Sequence, residues 1–182
     1  MMLDPQGPRR VAREDRAFFS NKHKPERERW VIDRWLLARG VVGAHVQPGG
    51  DPPDFSVDGG GVEVVEVLEP GRRRGDDYRA RLEVAEEGFA LARPLVSRKH
   101  VVERGHDWVL GAIECKAKEY DPLQSTAWTL LIYINIPWAD CLSWADVETK
   151  VQALAAPFAA IEIVFDVGSG PRAATVWGRR PG

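Results

Sequence analysis

Acidic residues with no evident packing role crowd one short stretch of the chain. Pro53-Asp54-Phe55 precedes a glycine turn, Gly59-Gly60-Gly61, which leads into the strand-like run Val62-Glu63-Val64-Val65-Glu66-Val67-Leu68. Carboxylates on neighbouring strands can share a divalent ion, and Mg²⁺ requires rigidly held oxygen ligands at about 2.1 Å. Such an ion polarises a phosphoryl group and acidifies a bound water, which is the chemistry of phosphodiester hydrolysis. A hairpin turning at the glycines would bring Asp54 towards the second strand. Within that strand Glu66 shares a face with Val62, Val64 and Leu68, whereas Glu63 lies opposite with Val65 and Val67. A carboxylate on an apolar face is costly unless paired or metal-bound, so this alternation favours Glu66 over Glu63. The plainer reading of the same residues is that Asp54 caps a turn and Glu66 sits at a sheet edge.

The elements that must position these residues follow from periodicity. From Pro25 onward Trp30, Val31, Trp35, Leu37 and Ala38 recur at helical spacing, with Glu26 and Glu28 in the opening turn and Gly40 as the stop. Val41–Val46 reads as a short strand ended by the turn at residues 48–52, and Phe55 and Val57 alternate with polar partners. Helical patterns recur over Tyr78–Ala92 and Trp108–Tyr120, with the polar segment Ser97-Arg98-Lys99-His100 between them and His106-Asp107 opening the second. Trp128–Ile136 is apolar throughout, as in a central strand covered on both faces. Ser143-Trp144-Ala145-Asp146 carries a capping-box pattern for a helix ending near Ala156, and Ile161–Val167 and Ala173–Trp177 are strands joined by a glycine-rich turn. The order predicts an α/β fold, a central mixed sheet of five or six strands flanked by helices. The glycine triplet joins two strands and opens no helix, so it is neither a dinucleotide fingerprint nor a P-loop.

Composition bounds the function. With 182 residues the chain is long enough for a single domain with a sizeable core; residues 1–20 read as a flexible N-terminal arm and 21–182 as the domain. Lysine and arginine number 25 against 27 acidic residues, a net charge of −2, so no overall basic character marks a nucleic-acid binder. Arginines nevertheless collect at residues 9–16, 72–74 and 179–180; Arg72-Arg73-Arg74 directly follow the carboxylate strand, where they could meet a phosphate backbone. Cys115 and Cys141 have no ligand or redox spacing and stand in apolar surroundings, and no secretory pattern opens the chain, so a cytoplasmic location is expected, with no membrane partner. His23, His45, His100 and His106 lack zinc spacing; His100 beside Arg98 and Lys99 is a lesser candidate for phosphate contact. Trp30, Trp35, Trp128 and Trp144 lie in apolar patterns and read as core rather than as stacking platforms.

The arrangement resembles the PD-(D/E)xK phosphodiesterase superfamily, whose members have the restriction-endonuclease-like fold. Pro53-Asp54 matches the first half of its motif and Glu66-Val67-Leu68 the second, preceded by a helix with early glutamates and followed by a helix and an apolar strand. The resemblance spans about residues 24–136. It implies a nuclease whose Asp54 and Glu66 hold Mg²⁺ (or Mn²⁺), with the main-chain carbonyl of Val67 as a further ligand and Glu28, or Glu26, assisting from the first helix. Leu68 stands where the family has a lysine, and leucine can neither orient water nor meet developing charge. In some similar members a following helix presents that lysine; Lys116 and Lys118 are the candidates here, Lys116 on the apolar face of its helix and Lys118, slightly favoured, preceding Tyr120.

The function expected from this reading is metal-dependent cleavage of DNA by an endonuclease that works with a second copy or a partner protein, or with low sequence specificity. The alternative is a catalytically inactive nuclease-fold protein that binds nucleic acid or a partner protein, for which the missing lysine argues.

Overall fold

A computed structural model describes residues 23–71, 97–154, 157–167 and 169–178. The arm at 1–20, the helix expected over 78–92 and the arginines at 72–74 lie outside the described residues. Helix α1 (Lys24–Ala38) begins with Pro25 in its first turn and Glu26 beside its N-terminal dipole. Beyond Arg39 the chain turns at Gly40, whose φ of +68° suits glycine. Arg27, Val31 and Ile32 are the buried face of α1.

Strand β1 is Val46–Pro48, β2 is Phe55–Val57 and β3 is Gly60–Val67. The strand expected at Val41–Val46 does not form there. Gly40 and Gly43 take positive φ and Val42 is 95% exposed, so β-branched residues without a sheet neighbour remain loop. The β2–β3 hairpin turns at Asp58-Gly59, so the turn takes the first glycine of the triplet and lies before its centre. Asp58 (φ +50°) and Gly59 (φ +85°) are the two central residues of a two-residue loop, and Gly60 and Gly61 already belong to β3.

Helix α2 (Arg98–Glu119) is longer than the Trp108 start its pattern suggests. Ser97 caps it by accepting from the His100 N–H, and it continues through Gly105 because a side chain there would meet Leu142. A short helical turn, Pro122–Ser125, leads to β4 (Trp128–Ile134). Helix α3 (Trp144–Ala153) follows Ser143, whose side chain makes no cap hydrogen bond, so the capping box read from the sequence is not formed. Strands β5 (Ala160–Val167) and β6 (Gly170–Gly178) close the described chain as an antiparallel hairpin.

The six strands form one mixed sheet in chain order, β1-β2-β3-β4-β5-β6. β3, β4 and β5 run parallel, and the flanking pairs are antiparallel. Side-chain alternation splits the core. Val31 and Ile32 of α1 pack with Phe55, Val62, Val64, Leu131 and Val164 on one face. Val109 and Ile113 of α2 and Val147 and Val151 of α3 pack with Val67, Leu130, Ile132 and Ile163 on the other. Glu66 therefore points to the α1 layer and Glu63 to the α2 layer.

Candidate active site at the end of the β2–β3 hairpin

The hairpin register decides which carboxylates meet. Phe55 pairs with Val62 as the last pair of the ladder, so the next residues along, Asp54 and Glu63, come near one another at its end. β2 begins at Phe55, leaving β3 without its antiparallel neighbour beyond Val62. The Val64 N–H that this exposes donates to Asp54 Oδ2 at 2.9 Å. A cleft of about 190 Å³ opens there, lined by Lys24, Arg27, Glu28, Glu63, Glu66 and Lys116 among others.

Glu63 is tightly held in this cleft. Only 4% exposed, it takes the Lys116 ammonium at 3.1 Å and the Tyr120 hydroxyl, both on Oε1. Its other oxygen, Oε2, is buried and accepts no hydrogen bond. Burial pushes the Glu63 carboxyl above the ordinary range and the nearby negative charge of Asp54 adds to this, against the pull of Tyr120 and Lys116. A buried carboxylate oxygen without a partner is costly, and a cation is what such an atom lacks.

Lys116 stands in the last turn of α2 and Tyr120 just beyond its end in extended backbone, and the Lys116 amine bonds the Tyr120 hydroxyl at 2.8 Å and Glu119 at 2.9 Å. Burial disfavours the ammonium, but Tyr120, Glu119 and Glu63 together outweigh it and hold the proton more firmly than in water. The Tyr120 ring in turn meets Trp128 edge-on at 5.6 Å. On the opposite wall Glu28, 12% exposed, and Asp54, 7% exposed, both face Lys24, whose amine is 3.1 Å from Glu28 and 3.4 Å from Asp54. Burial raises the Glu28 carboxyl and Asp54 raises it further.

Glu28, Lys116 and Glu66 thus line one cleft, Asp54 adjoins it through Val64 and Lys24, and Lys118 and Glu26 stand elsewhere. Glu66 turns to the α1 layer, where Arg27 lies 3.8 Å away and Asn135 donates at 2.7 Å. The Val67 carbonyl accepts the Asn135 N–H at 3.1 Å, continuing the sheet ladder at the far end of β3. Lys118 is 80% exposed and reaches only Glu114, because two residues along a helix rotates it away from the sheet. Glu26 is exposed and faces His23. His100 meets the Trp108 ring at a tilt of 51° and lies 3.5 Å from Glu69, and Cys115 is exposed rather than in apolar surroundings. Sequence reasoning missed Glu63 and Tyr120 as site residues. The signal for Glu63 was Asp58-Gly59, a dipeptide typical of two-residue hairpin loops, from which the approach of residues 54 and 63 follows.

Among the described residues no group of three or more His, Cys, Asp or Glu side chains could hold a metal ion as it stands. Asp54 and Glu63 with the orphaned Oε2 nevertheless suit Mg²⁺, which is commonly held by one or two carboxylates and keeps several waters.

Residues 7–159 match the model of a family described as "Putative endonuclease, protein of unknown function (DUF1780)". The chain belongs to that family. All the residues of the cleft fall within the matched span. A solved structure of a protein of unknown function from Pseudomonas aeruginosa strain PAO1, titled as of the monooxygenase superfamily, is similar in fold. Its TM-score is 0.54 with 20% identity, covering 98% of this chain and 87% of that one, a likeness that speaks to fold alone. No curated protein is similar in sequence. Among the described residues no helix is long and apolar enough to cross a membrane.

Proposed function

We propose that the chain is a divalent-metal-dependent phosphodiesterase of the restriction-endonuclease-like fold, cleaving DNA at the cleft between α1, β3 and α2. The observation that carries this reading is the unpartnered Oε2 of buried Glu63, near the charge of Asp54 and beside an ammonium presented by a helix. The family's description, "Putative endonuclease", supports the reaction class, and the order of one helix, three strands, a helix and an apolar strand supports the resemblance.

Asp54 and Glu63 would hold Mg²⁺ or Mn²⁺, which supplies an acidified water and polarises the scissile phosphoryl group. Lys116 keeps its proton and meets the negative charge that develops on the phosphoryl oxygens, the part that Leu68 cannot play. Tyr120 fixes the Lys116 amine and restricts Glu63 to ligation through Oε2. Glu28, a stronger base than an ordinary carboxylate, is placed to hold a proton at the cleft wall.

The test is cleavage of plasmid and single-stranded DNA with Mg²⁺ or Mn²⁺, alongside Mn²⁺ binding. Asp54→Ala and Glu63→Gln should lose ion binding and cleavage. Lys116→Met should bind the ion but cleave about 100-fold more slowly, the size expected for loss of a positioned charge, while Glu66→Gln and Lys118→Met keep both functions. Ion binding that survives Glu63→Gln and fails in a folded Glu66→Gln protein would return the role to Glu66. A parent protein that binds ions neither alone nor with DNA would leave only the non-catalytic binding reading.

A further inference from the structure

We infer that Lys24 is a built-in second cation, so that this site takes a single divalent ion where a pair of carboxylate walls could otherwise accept two. The inference rests on the metal-dependent reading above. Its starting observation is that the cleft has two acidic sides sharing Asp54. Asp54 Oδ2 is fixed by the Val64 N–H, while Oδ1 faces the Lys24 amine at 3.4 Å. The same amine is 3.1 Å from Glu28. Glu63, on the other side, has its unpartnered Oε2.

Charge makes the two sides unequal. Among the described residues Lys24 faces Asp54 and Glu28, Lys116 faces Glu63 and Glu119, and Arg27 lies beside Glu66. The Glu28 side thus already has an ammonium bridging its two carboxylates, whereas Oε2 of Glu63 on the other side has no partner. A second dication at Asp54 and Glu28 would meet that ammonium at close range in a half-buried space where screening is weak. The buried carboxylates are preformed, and Lys24, half exposed at 52%, reaches in from solvent to stand between them. Two-metal nucleases use the second ion to neutralise charge at the leaving or attacking oxygen. Here the Lys24 ammonium provides fixed positive charge at the corresponding wall, making it a positioning residue for Asp54 and Glu28.

The experiment is Mn²⁺ titration of the full chain without DNA, followed by calorimetry and by the electron-paramagnetic signal of free Mn²⁺. Wild type, Lys24→Met, Lys24→Arg and Glu63→Gln proteins are compared after circular dichroism confirms their folds. The expected result is one equivalent bound by wild type, a second equivalent gained by Lys24→Met, and a return to one in Lys24→Arg. Lys24→Met binding one ion, at unchanged or tighter affinity, overturns the inference while the site reading stands, provided Glu63→Gln abolishes that binding. Two equivalents in wild type overturn it as well. No Mn²⁺ on the wild-type protein overturns both the inference and the reading on which it rests.

Discussion

Glu63 is held in the folded chain against its own preference for water. Burial and the Asp54 charge raise its carboxyl, so the folded state favours its neutral form relative to the unfolded chain. Glu63→Gln, which keeps the volume and removes the charge, should leave stability unchanged or raise it by about 1 kcal/mol while abolishing ion binding; a urea melt and a Mn²⁺ titration of the same sample check this. A large loss of stability would mean that Glu63 is there for its pair with Lys116. Tyr120 gives a second test. Burial, then its hydrogen bond to Glu63, pushes its hydroxyl up to about 12. A group with a raised folded pKa contributes stability that is complete below its unfolded value, about 10 for tyrosine, and is lost as pH rises through 12. The phenolate absorbance that disappears in Tyr120→Phe should therefore emerge near pH 12 rather than near pH 10 while the chain stays folded.

At the level of elements, a single glycine joins the sheet to the site. Gly61 of β3 lies opposite Trp128 at the start of β4, and a Cβ on it would stand 2.5 Å from the indole ring. That ring supports Tyr120, which holds Lys116. Gly61→Ala should cost about 1–3 kcal/mol by overpacking and slow cleavage by displacing Tyr120, although position 61 touches no substrate. Chemical denaturation with cleavage rates at saturating Mg²⁺ would measure both; an unchanged rate would show that Lys116 needs no support from Trp128. The hairpin itself follows the same logic. A turn centred on Gly60 would have brought Asp54 towards Glu66, whereas the Asp58-Gly59 turn ends the ladder at Phe55–Val62 and brings it towards Glu63. A small shift in the turn reassigns the carboxylate and, with it, the face of the sheet.

Across the whole molecule α1 is pinned at both ends. Its start meets Asp54 through Lys24, and its end is tied to the far strands by Arg39 and Trp35, which bond Glu162 of β5, itself accepting from Thr175 of β6 at 2.7 Å. Glu162 is 3% exposed, and Arg39 Nε is buried without a partner. Glu162→Ala leaves a partly buried guanidinium unpaired and should cost about 3 kcal/mol, while ion binding at the opposite end of α1 persists. Thermal melts with and without Mn²⁺ separate the two effects; loss of ion binding in a folded Glu162→Ala protein would show that the knot also sets the angle at which Lys24 and Glu28 enter the cleft.

Strand and helix identities that rest on local periodicity were legible in the chain: the buried Trp128–Ile134 strand, the β5–β6 hairpin, α1 with its proline start and the two faces of β3 all follow from residue type and spacing. So were the candidates Asp54, Glu28 and Lys116 and the gap left by Leu68. The proposed roles of Glu63 rather than Glu66, and of Lys116 rather than Lys118, draw on the tertiary structure, because both strand faces are covered by helices and apolar alternation therefore favours neither. Burial said that a carboxylate must have a partner; only register and helix packing said which one had an oxygen left over.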